Sequence, residues 1–94
     1  MKQQNIEKIK SILKHWNPLG NRKDSISDLN NYETEVVDII FNLEIEYNFP
    51  EKSISKNQLS IIVKEVLNQA FDLHLTRSDC DDYSIQILKI LNEK

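Results

Sequence analysis

The densest group of side chains able to do chemistry is His74 with Asp79, Cys80, Asp81 and Asp82. An imidazole, a thiol and three carboxylates so close together suggest a divalent metal site or a thiol–imidazole nucleophile. Structural zinc takes four Cys or His ligands, and the chain offers only Cys80, His15 and His74. A calcium loop would need a glycine at its sharp turn and a distal glutamate, which this run lacks. A helix start lowers a thiol pKa, but three adjacent carboxylates raise it again. Cys80 is also in helical phase with Ser84, Ile87 and Leu91, so it reads as a buried structural cysteine, and the acids read as complements to a helix dipole. With a single glycine there is no phosphate-cradling loop, and no nucleophile-elbow motif is present. The expectation is a protein with no enzyme activity, no cofactor and no metal.

A second constellation lies between Tyr32 and Tyr47. Glu35, Asp38, Asn42 and Glu46 recur at spacings of three, four and four, which makes one continuous outer ridge on a helix, and the stretch contains no Lys or Arg. Glu33 and Glu44 lie on the other, narrower polar gap. Acids in the first turn complement the helix dipole, but that effect does not reach Asp38 or Glu46. Such a ridge is either a solvated face or a surface that steers and docks a basic partner. Glu35, Asp38, Asn42 and Glu46 are therefore the candidate partner-binding residues.

The helix carrying that ridge has two apolar faces. At about 100° per residue, Tyr32, Val36, Ile39, Ile40, Leu43 and Tyr47 form a broad stripe, and Val37, Phe41 and Ile45 a narrower one, so neighbours are expected on two sides. Upstream, Ile6, Ile9, Ile12, Leu13 and Trp16 repeat at helical spacing, with Glu7, Lys8, Lys10 and Lys14 facing away. The sequence Trp16-Asn17-Pro18-Leu19-Gly20 stops that helix, with Trp16 closing the core at its end. Asn21 to Asn31 shows no helical period and only Ile26 and Leu29 as apolar anchors, so it reads as a loop ending in an Asn30 or Asn31 cap. Pro50 ends the central helix, Phe49 and Ile54 turn inward, and Ser55 with Gln58 forms a capping box for a third helix. The apolar set of that helix is Leu59, Ile62, Val63, Val66, Leu67, Ala70 and Phe71. A fourth, capped by Ser78, buries Tyr83, Ile87, Leu88 and Leu91.

Ninety-four residues suffice for one small core. An apolar fraction of 39% with one glycine and two prolines excludes disorder and turn-rich β folds and leaves an all-α, single-domain bundle over 1–94, with helices near 5–16, 31–47, 56–74 and 79–92. Its core is expected to include Trp16, Val36, Ile39, Ile40, Leu43, Ile62, Val66 and Phe71. A net charge of -3 and a pI near 5.3 disfavour phosphate backbones and anionic lipid. A lone cysteine, the lack of a leader-like N-terminus and the lack of a long apolar run lead to the expectation of a cytoplasmic protein away from the membrane.

The order of landmarks resembles a known pattern. A first helix ending in Trp16-Asn17-Pro18-Leu19-Gly20, a loop into Tyr32-x-x-Glu35, a third helix with a late Phe71 and a last helix beginning Ser78-Asp79-Cys80 resemble the small bacterial helical family typified by the YugE-like proteins. The Trp-Asp/Asn-Pro-Leu/Ile-Gly turn is the most specific part. The likeness spans nearly the whole chain at low identity, and it departs from the pattern at Asn17, where Asp is commoner, and in a longer, more polar loop before Tyr32. It implies an all-α fold of about four helices. Proteins of this pattern include immunity proteins of contact-dependent growth inhibition and related toxin systems, small acidic proteins that bind and neutralise one toxin domain. The resemblance implies that role here, with a basic, nuclease-type toxin domain as partner and a monomer as the resting form, but it transfers no binding residues. Two alternatives stand beside it. One is a regulatory or scaffolding module, a homodimer through Val37, Phe41 and Ile45; the other, nucleic-acid binding through Arg22, Lys23 and the first-helix lysines, is opposed by the net acidity.

Overall fold

Helices form where the apolar period predicts them. A computed structural model, which describes residues 3–25 and 32–92 apart from the side chains of Lys23 and Ser25, places α1 at Gln3–Trp16, α2 at Glu33–Tyr47, α3 at Lys56–Phe71 and α4 at Arg77–Leu91. The expected all-α bundle of four helices is what the chain adopts, and no strand occurs among the described residues. Each helix packs on two others: α1 on α2 and α4, and α3 on α2 and α4, with the diagonal pairs apart. The ring closes around Ile9 and Leu13 of α1, Val36, Ile39 and Leu43 of α2, Leu59, Ile62, Val63 and Leu67 of α3, and Cys80 and Ile87 of α4. Phe49 and Ile54 point inward from the α2–α3 connection as expected. Trp16 and Phe71 are only half-buried, flanking the core rather than filling it. The Trp16 ring stacks on Tyr83 of α4, with centroids 4.3 Å apart and planes 12° from parallel, so it closes the α1–α4 end of the bundle.

Local chemistry sets the ends. Ser55 accepts from the Gln58 N–H while the Gln58 side chain accepts from the Ser55 N–H, the capping box read from the sequence. The α4 start differs from expectation: Thr76, not Ser78, is the cap, with Asp79 returning the bond to the Thr76 N–H at 2.9 Å. Thr-x-x-Asp satisfies two amides at once; the matching acid for Ser78, Asp81, is instead engaged by Ser60 and Lys56. At α2 the residue before the helix is Tyr32, in the left-handed region at φ 68° and without a side-chain cap bond. The expected caps Asn30 and Asn31, the anchors Ile26 and Leu29, and the Lys23 side chain lie outside what is described. Gly20–Ser25 forms a short 3-10 turn rather than irregular loop.

Two cations expected on the surface are structural. Arg22 donates to the Phe71 carbonyl at 2.8 Å and to the Asp72 carbonyl at 3.5 Å, occupying acceptors that the end of α3 leaves unpaired. Lys10 is buried along its stem and sends its ammonium to Glu33 at 3.1 Å and Glu7 at 3.4 Å, tying α1 to α2. Ala70, read as part of the α3 apolar face, is exposed, and Ser60 is buried instead. The Ser60 hydroxyl donates to Asp81 at 2.8 Å, which lets a hydroxyl face α4 without a desolvation penalty.

Candidate functional site: the outer face of α2

The broad stripe of α2 serves both of its neighbours, α1 and α3, and the narrow stripe serves neither. Val37, Phe41 and Ile45 are 47%, 56% and 63% exposed, so the expectation that both apolar faces find a neighbour fails within the described residues. One helix contacting two others in a ring spends a single wide face on both, and a residue opposite that face has nothing to touch. A shallow groove runs beside this stripe, lined by Ile6 of α1 and by Val37, Ile40, Phe41 and Glu44 of α2.

The polar residues on α2 separate into two kinds. Asp38 and Glu46 are exposed, and Asn42 is half-buried with its amide donating to the Asp38 carbonyl at 2.8 Å. Glu35 does not stand on the outer ridge: it is 8% exposed, turned toward the interior, and its Oε1 has no hydrogen-bond partner among the described residues. It shares its helical arc with Asn42 and the exposed Glu46, which is why spacing alone put it outside. The site the structure brings together is therefore Val37, Phe41 and Ile45, bordered by Asp38 on one flank and Glu44 on the other, while Glu46 lies apart from it beside Lys52 and Gln58. No described basic side chain pairs with Asp38, Glu44 or Glu46. Glu33, in contrast, is matched by Lys10. The apolar half of this site was visible in the sequence as the second stripe; what was missing was that no helix covers it.

Burial raises the Glu35 carboxyl above its ordinary value of 4.5, and the charge of Asp38 raises it further. A group protonated more readily in the folded than in the unfolded chain makes the fold lose stability as pH rises from the unfolded value through the folded one. Glu35→Gln is expected to remove that slope above pH 4.5 and to raise stability at neutral pH by about 1 kcal/mol, as read by urea unfolding across pH. Equal slopes in the two proteins would show Glu35 to be solvated in the native state.

The acidic run at α4 resolves into structural roles. Asp79 belongs to the cap, and Asp81 accepts from Ser60 and pairs with Lys56 at 3.4 Å, contacts that hold its carboxyl below the ordinary range, the Ser60 bond foremost. Cys80 is fully buried, its thiol pushed up to about 11 by burial and then by Asp79 and Asp81, so it is un-ionised at neutral pH, while His74 is exposed. No three His, Cys, Asp or Glu side chains among the described residues are arranged to hold a metal. No described helix is long and apolar enough to cross a membrane. Set against known protein families, characterised proteins and solved structures, the chain matches none.

Proposed function

We propose that this chain is a protein-binding module whose partner is a basic, nuclease-type toxin domain, which it neutralises as an immunity protein. The observation that carries the reading is the Val37–Phe41–Ile45 stripe, uncovered among the described residues and flanked by carboxylates that no described basic side chain pairs. Exposed apolar area supplies affinity once it is desolvated, and the surrounding charge supplies approach rate and choice of partner. The acidity of the chain and its resemblance to immunity proteins support the toxin as that partner. Within this reading Asp38 and Glu46 provide charge and Asn42 a rim hydrogen bond, while Glu35, being interior, makes no contact with the partner.

The test is affinity capture with tagged protein from its native cell at low and higher salt. The expected result is one basic protein near equal stoichiometry, released by salt and by Asp38→Lys, whose toxicity is relieved when the two are co-expressed. Unchanged rate and affinity on Asp38→Lys would remove α2 from the binding surface. The same exposed stripe favours a second reading, a scaffolding homodimer, and sedimentation of the purified protein separates the two.

A further inference from the structure

We infer that the occupant of the α2 outer face is an amphipathic helix whose apolar stripe is flanked by Lys and Arg; this rests on the protein-binding reading above and specifies its form. Val37, Phe41 and Ile45 are spaced four apart, so their side chains make a straight strip about 12 Å long, two helical turns. That strip matches the i, i+4 anchors of another helix laid alongside. The groove beside it, walled by Ile6 on α1 and by Ile40 and Glu44 on α2, gives the second row of contacts that a flat helix surface would lack. An extended strand would need unpaired backbone at a sheet edge, and the described residues contain no sheet. A polyproline segment needs an aromatic-lined trough, and Phe41 is the single aromatic on this strip.

Charge selects among helices. Asp38 lines one flank and Glu44 the other, while Lys10 on α1 is held by Glu7 and Glu33. A second copy presenting the same face would set these carboxylates against their own images, because α2 carries no Lys or Arg. Like charges brought together across a desolvated strip oppose association, and Lys or Arg at those positions favours it. Phosphate backbones and anionic lipid fail for the same reason.

The probe is a synthetic peptide helix with leucines on one stripe and Lys and Arg on both flanks. Two controls accompany it, one with Glu on the flanks and one with Ser in place of the leucines. Binding to the full chain is followed by fluorescence anisotropy and by amide chemical shifts. The expected result is saturable binding of the basic amphipathic peptide alone, with shifts centred on Val37, Phe41 and Ile45, weakened on going from ~0.05 to ~0.3 M salt. Phe41→Ala, an exposed position where truncation leaves the core intact, is expected to weaken it about tenfold, whereas Ile85→Ala on α4 leaves it unchanged. Binding that ignores Phe41→Ala, equal binding of the Ser control, or shifts on another face would overturn the inference, as would a wild-type dimer burying this strip. If native partner capture succeeds and depends on Asp38 while the basic peptide fails to bind, the helical occupant falls and the protein-binding reading stands. Peptide binding without a captured partner keeps the helical occupant and the protein-binding surface and removes the toxin as the partner.

Discussion

Leu43→Ala is expected to destabilise the protein by about 3 kcal/mol. Leu43 has no exposed surface and sits on the broad face of α2 that packs against both α1 and α3. Truncation removes transfer energy and leaves a cavity that helices held at both ends cannot close. For a chain of this size each kcal/mol moves the midpoint by roughly 4–8 °C, so thermal unfolding followed by circular dichroism should fall by at least about 12 °C. Ile45→Ala on the opposite face, at 63% exposure, is expected to cost no more than about 0.5 kcal/mol. Similar losses at the two sites would mean that the face of α2 assigned as open is covered in solution.

Asn68→Ala should cost about 2 kcal/mol although Asn68 lies outside the apolar core. The Asn68 amide donates to the Leu75 carbonyl at 3.1 Å, and its carbonyl accepts from the Leu75 N–H at 2.9 Å. These two bonds imitate a backbone pair and fasten the α3–α4 turn, where Asp72 leaves the helix in the left-handed region. Alanine strands both partially buried Leu75 groups; Asn68→Asp keeps the acceptor and loses the donor, so its cost falls between. Urea unfolding is the measurement, with a shifted midpoint at constant slope as the expected signature. A negligible shift for Asn68→Ala would show that water replaces the clamp.

What could be read from the sequence depended on range. Helix existence, the inward turn of Phe49 and Ile54, the Ser55–Gln58 box and the burial of Cys80 all follow from period or from contacts within a few residues. The α4 cap was displaced by two because Ser78 and Thr76 are both competent caps with an acid three residues on, and Asp81 is taken up by Ser60 and Lys56 while Asp79 returns the bond to Thr76. Contacts across the bundle were not legible. Lys10 reaches Glu33 across 23 positions, and Arg22 reaches Phe71 across 49, so neither announced itself in local pattern. The candidate site was half legible: the stripe of Val37, Phe41 and Ile45 was plain, but whether a helix covers it depends on how four helices share faces. Glu35 failed for a related reason: it shares its helical arc with the exposed Glu46, and only the packing around its own end of α2 puts it inside.

The chain contains one glycine, yet among the described residues four others take the left-handed conformation, Asn17, Tyr32, Asn48 and Asp72. Asn and Asp accept this conformation at little cost, and in the unfolded chain they are stiffer than glycine, so less freedom is lost when the joints form. Tyr32 is different, since an aromatic residue there carries strain of roughly 1–2 kcal/mol. Its ring is buried and meets the Phe71 edge at 6.0 Å, which holds the joint in place. The burial of that ring joins the packing of α2 on α1 and α3 in fixing how α2 enters the bundle, and with it the direction in which Phe41 faces.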